Sequence, residues 1–87
     1  MPRFFFDVFN GTGNAPDEEG LDLADQSSAR YLALDSVRSI VAEEARKGLI
    51  DLGGRIEVKD DAGELLLIVG FVEAFRLRMP DGWSRLS

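Results

Sequence analysis

Phe4-Phe5-Phe6-Asp7-Val8-Phe9 is the stretch on which the reading of this chain turns. Successive side chains of a strand point to opposite faces, so Phe4, Phe6 and Val8 share one face and Phe5, Asp7 and Phe9 the other. Both faces are then largely apolar. The 87-residue chain contains a single long helical pattern, which can shield one of them. The second face needs another cover, either the C-terminal segment of the chain itself or a different molecule.

The helical pattern begins at Asp25, whose carboxylate is suited to accept the free N–H groups of a first turn. From there to Arg46-Lys47 the chain has no Gly or Pro, and Gly48 stands where a left-handed residue ends a helix. An anion at the start and cations at the end both complement the macrodipole. At about 100° per residue, Ala29, Ala33, Leu34, Val37, Ile40, Val41 and Ala45 share one face, with Asp35, Arg38, Ser39, Glu43 and Arg46 opposite. Arg30 and Glu44 project onto the apolar side near the two ends, where long side chains bury their stems and keep the charge wet.

Strand patterns flank this helix. Leu21-Asp22-Leu23 reads as a short strand able to pair with the first, across a loop at Asn10–Asn14. After the helix, Ile56 and Val58 alternate with Arg55, Glu57 and Lys59. Asp60-Asp61-Ala62-Gly63 then makes a tight connection, with Gly63 in the left-handed position. Glu64 to Phe71 returns as the most apolar strand, Leu65, Leu67 and Val69 facing one way and Leu66 and Ile68 the other. Phe71 to Phe75 fits either more strand or a short helix. The expected architecture is α+β with order ββαββ: one long amphipathic helix on a mostly antiparallel four-stranded sheet. Residues 1–75 form the domain and residues 76–87 a flexible tail. Either the Arg55 strand or the Leu65 strand lies beside the first.

The start Met1-Pro2-Arg3-Phe4-Phe5-Phe6-Asp7, the Asp17-Glu18-Glu19-Gly20 turn with Leu21 and Leu23, the Ala29-Arg30 helix opening, and Ile56-Glu57-Val58 leading to Asp60 and Gly63 form an ordered set. In this set the chain resembles an uncharacterised family of short bacterial proteins, classed as a domain of unknown function. The resemblance runs to about Phe75 and implies a bacterial cytoplasmic origin and that domain boundary. It assigns no activity and no functional residue.

Composition removes several kinds of chemistry. With no Cys there are no disulfides or thiolate metal sites, and with no His the commonest general base and metal ligand are missing. No apolar run approaches the ~20 residues of a membrane span, and no signal-peptide pattern is present, so the expected setting is cytoplasmic. A net charge of −6 counts against nucleic acid as a partner. No cofactor is expected. Gly11-Thr12-Gly13 lacks the Gly-Lys-Ser/Thr ending of a phosphate loop.

The candidate interaction residues are those of the second face, Phe5, Phe9, Leu66 and Ile68, with help from Phe71 and Phe75 and with Trp83 of the tail. They point to a non-catalytic protein–protein interaction or regulatory module whose partner is a second copy or another protein. Asp7, between Phe5 and Phe9, is either a polar spot in such an interface or a charge that guards a sheet edge. A competing reading is an enzyme or divalent-metal site using Asp17, Glu18 and Glu19, although their spacing is not that of an EF-hand loop. A third is nucleic-acid binding through Arg76, Arg78 and Arg85, with Trp83 stacking on bases.

Overall fold

A computed structural model describes residues 1–11 and 13–82. Its elements are β1 (Arg3–Asn10), β2 (Gly13–Ala15), β3 (Leu21–Asp22), α1 (Gln26–Lys47), β4 (Arg55–Lys59) and β5 (Leu65–Gly70), followed by a 3-10 turn over Phe71–Ala74. The sheet is antiparallel throughout, in the order β2-β1-β4-β5, with β3 also paired to β1. One helix on one face of an antiparallel sheet makes the fold α+β.

The Arg55 strand, β4, is the neighbour of β1. Its Ile56 and Val58 are fully buried toward the helix, and its Lys59 and Arg55 find partners on β1 at Asp7 and Phe9. The sheet has five strands rather than the expected four. The addition is β2: Asn10 pairs with Gly13, so the chain doubles back along β1. Gly13, at φ +126°, occupies backbone space that a side chain would disfavour.

Both helix ends fall where Asp25 and Gly48 place them. The Asp25 carboxylate accepts from Ser28 N at 2.9 Å, and Gly48 is left-handed at φ 86° with its N–H on Ala45 O. Accepting the Ser28 N–H holds the Asp25 carboxyl below its ordinary value. Ala29, Ala33, Val37 and Val41, four residues apart, are the buried stripe. Small residues at its N-terminal end let the helix lie close to the sheet. Ala45, expected on the same face, is exposed. Twenty-two residues of helix run about 33 Å, roughly twice the length of β4, so the last turn extends past the sheet.

The core joins this stripe to Phe4, Ile56, Val58, Val69, Phe71 and Ala74. Each large apolar side chain fully buried there contributes roughly 1.5–3 kcal/mol. The open choice at Phe71 resolves into a 3-10 turn. Phe71 N donates to Gly54 O at 2.9 Å, extending the β4–β5 ladder by one pair. The Glu73 carboxylate then accepts from Gly70 N at 2.7 Å and curls the chain. Phe71 is fully buried and Phe75 packs against the core, so neither helps to form the second face. Gly54 allows this: a Cβ there would sit 2.8 Å from Phe9 O and 2.9 Å from the Phe71 ring.

Candidate functional site

The face turned away from α1 carries Phe5, Asp7 and Phe9 from β1. It carries Arg55, Glu57 and Lys59 from β4, and Leu65 and Ile68 from β5. The register sets Phe5 against Lys59, Asp7 against Glu57, Phe9 against Arg55, Glu57 against Ile68, and Lys59 against Leu65. Lys59 Nζ lies 3.1 Å from Asp7 Oδ2, and Arg55 Nε donates to Glu57 Oε2 at 2.8 Å. The Arg55 guanidinium also sits 4.4 Å from the centre of the Phe9 ring, a cation–π contact. The expectation of a continuous apolar second face is therefore corrected. With β4 central, its polar alternates form a charged ridge that separates Phe5 and Phe9 from Leu65 and Ile68.

One of the four grouped residues leaves the face altogether. The β4–β5 register shifts between Val58 and Lys59, so Val58 pairs with Leu67 and Lys59 with Leu65. An extra residue in one strand exchanges the faces on which the residues beyond it lie. Leu65 consequently joins the open face. Leu66 packs against the core, at a cleft of about 300 Å³ that it lines with Phe4 and Gln26. Phe5 and Phe9 are half-buried on the open face and Ile68 is 48% exposed. Trp83 and Arg85 lie outside the described residues. Arg76 and Arg78 are exposed.

The outer edge of β1 is closed along its length. β3 pairs at Arg3–Phe4 and β2 at Val8–Asn10. In the gap between them the Asp17 carboxylate accepts from Phe6 N at 3.1 Å. Its other oxygen accepts from Glu19 N and Gly20 N, at 3.2 and 3.0 Å, while Asp17 N donates to Asp7 Oδ1 at 2.9 Å. Partial burial pushes the Asp17 carboxyl upward, but the N–H groups of Gly20, Phe6 and Glu19 together hold it below its ordinary value. Arg3 clips the same loop through Asp22 at 3.0 Å and Glu19 O at 2.7 Å. Asp17 is thus a stitch between a loop and an edge, and Asp7 anchors that loop while pairing with Lys59. Glu18 and Glu19 are exposed. Among the described residues no three acidic side chains gather as a metal site.

The outer edge of β5 is different. Among the described residues no strand pairs with it. Because Phe71 N bonds to Gly54, the alternation of an antiparallel ladder turns Val69 and Leu67 toward β4 and leaves the N–H and C=O of Ile68 directed outward. The Gly70 N–H is capped by Glu73, itself held by Arg30 at 3.0 Å. Accepting the Gly70 N–H, with Arg30 beside it, keeps the Glu73 carboxyl low. Leu65 to Gly70 carries no charge and no proline. Its uncharged composition is legible from sequence; its place at an edge is not, because two strand orders satisfy the same alternation.

The other concavity of size is an open depression of about 700 Å³ past the end of α1, lined by Gly11, Glu44, Lys47, Leu49, Ile50 and Asp51. Its carboxylates are engaged with backbone. Glu44 accepts from Asp51 N at 3.0 Å, and Asp51 accepts from Gly11 N and Gly53 N at 2.9 and 2.8 Å. Among the described residues no helix is long and apolar enough to cross a membrane.

Against known proteins, the family model described as "Domain of unknown function (DUF6894)" matches residues 3–72, and the chain belongs to that family. No curated protein and no solved structure matches it.

Proposed function

We propose that this domain is a non-catalytic protein–protein interaction module that takes up an extended segment of a partner as an added strand on β5, in the cytoplasm. The observation that carries the reading is an uncharged six-residue strand whose outer edge has no partner among the described residues. Such an edge supplies affinity through main-chain hydrogen bonds and selectivity through alternate side chains. Leu65 and Ile68, 45% and 48% exposed, are the side chains an incoming strand would meet on the open face. Beside them, the engagement of Asp7, Asp17, Glu44, Asp51 and Glu73 with backbone N–H groups favours binding over acid–base chemistry.

The test is an NMR titration of the labelled protein with an uncharged extended peptide of alternating valine and threonine, flanked by glutamines for solubility. Amide shifts confined to residues 65–70, with slowed exchange at the Ile68 N–H, are expected. Shifts centred on residues 17–19 or on the depression beyond α1, or no shifts at all, would overturn the reading.

A further inference from the structure

We infer that the strand added to β5 is the β5 of a second copy of this chain, running antiparallel with the two Ile68 residues opposite each other; this rests on the strand-addition reading above. Ile68 directs both its N–H and its C=O away from β4, so on a two-fold axis it exchanges both bonds with the partner's Ile68. The same register sets Gly70 against the partner's Leu66, where Glu73 already takes the Gly70 N–H, so the two exchanged Ile68 bonds carry the contact.

The uncharged edge admits a second copy of this acidic chain and disfavours a basic partner. The chain carries −6 overall, which makes two copies repel over most of their surface. Between the paired strands themselves that repulsion is absent. Leu65–Gly70 has no charge, and the adjoining open face balances Arg55 and Lys59 against Asp7 and Glu57. A basic partner would be drawn to the acidic remainder of the molecule rather than to this neutral edge.

The rest of the sheet explains why such pairing stops at two. Joining β5 to β5 makes one continuous sheet whose outermost strands are the β2 and β3 of each copy, three and two residues long. These cover β1, with the Asp17 carboxylate between them, and such short edge strands offer little to pair with. The contact is isologous and closed, so it makes a dimer and no filament. It is also small, and interfaces below about 1,200 Å² are weak or transient. Dimer is therefore expected at protein concentrations on the order of 100 µM rather than in the nanomolar range.

The experiment is sedimentation equilibrium of the full chain over a concentration series, with Ile68→Lys as the test variant and Leu49→Lys, at the far end of α1, as the control. Amide exchange at Ile68 is followed in parallel. The mass should rise from 9.6 kDa toward twice that value. Ile68→Lys should raise the dissociation constant at least about tenfold, Leu49→Lys should leave it unchanged, and exchange at the Ile68 N–H should slow as concentration rises. Ile68 is half-exposed, and unchanged circular dichroism will show that its variant folds. A chain that stays monomeric at about 1 mM, or a dimer indifferent to Ile68→Lys with no concentration effect on Ile68 exchange, overturns the inference. A monomer that still responds to the valine–threonine peptide at residues 65–70 overturns self-pairing alone. A monomer with no such response overturns the strand-addition reading as well.

Discussion

The sides of β1 and β5 that face away from β4 receive opposite treatment. Along β1 every stretch is occupied: two short strands flank a gap, and a carboxylate reaches into the gap to take the Phe6 N–H. Along β5, among the described residues, the last amide alone is covered, by Glu73, and the six residues before the turn carry neither charge nor proline. Folded chains commonly protect exposed edges with charge, proline, a bulge or a covering loop. Here the protection is concentrated on one edge. The bulge in β5 adds twist, yet its consequence is to bring Leu65 onto the open face beside Ile68. The difference teaches that the bare edge is a specific feature of β5 rather than a general property of the sheet.

The contrast can be broken most forcefully through the anchor of β5. Phe71 is fully buried and holds the end of that strand against Gly54. Phe71→Ala should cost about 3–5 kcal/mol, read as a fall in the urea midpoint. A loss under about 1 kcal/mol would mean that β5 is held by its ladder alone.

A smaller effect is expected at the closed edge. Gly20 has φ +72°, and a Cβ there would lie 2.8 Å from the Phe5 ring, 2.9 Å from Arg3 Cγ and 3.0 Å from Phe4 O. Gly20→Ala should destabilise by about 2–3 kcal/mol, combining left-handed strain with overpacking. Thermal denaturation measures it, and amide exchange should quicken at β3 well before β5.

Asp17→Asn should cost about 1–2 kcal/mol by weakening charge-assisted hydrogen bonds to three backbone N–H groups. Exchange at the Phe6 N–H should rise with it. The pH dependence stems from the lowered folded value. Stability from Asp17 is fully present above the ordinary carboxyl value of 3.8 and is lost as pH falls through the lower value of the folded state. Denaturation midpoints of the two proteins should therefore converge in acid. Asp25 and Glu73 are lowered too and act in the same direction, so the Asn variant is needed to isolate Asp17.

Smallest is the effect of Ile68→Lys on the stability of the single chain, under about 0.5 kcal/mol at this half-exposed position. Measured in dilute solution, this sharpens the comparison. An edge residue that matters little to folding but strongly to association belongs to an interface, whereas the Asp17 stitch matters to folding alone.

Much of the architecture is legible in the chain. Asp25 and Gly48 mark the helix ends because capping chemistry is local, and Ala29, Ala33, Val37 and Val41 reveal their shared face through spacing. Gly63, left-handed at φ 82°, is explained by the tight connection around it. The site is less legible. Leu66 and Ile68 share a face under strict alternation, and a single register shift against β4 separates them. Phe71, grouped with the second face, has the parity of Val69 along the strand and fills the core beside it, its N–H still on the ladder at Gly54 O. Asp17 reads as one of several loop carboxylates, since its partner Phe6 N–H is eleven residues away and nothing local announces it.

Amphipathic period, caps and turn residues by themselves determined that this chain makes one helix and a set of antiparallel strands, because those signals act over a few neighbouring residues. Only the tertiary structure decided which strand lies at the centre, which amides remain free and where the charges of β4 fall. Strand order and register are set by pairing between segments far apart in sequence, and several arrangements satisfy the same local pattern.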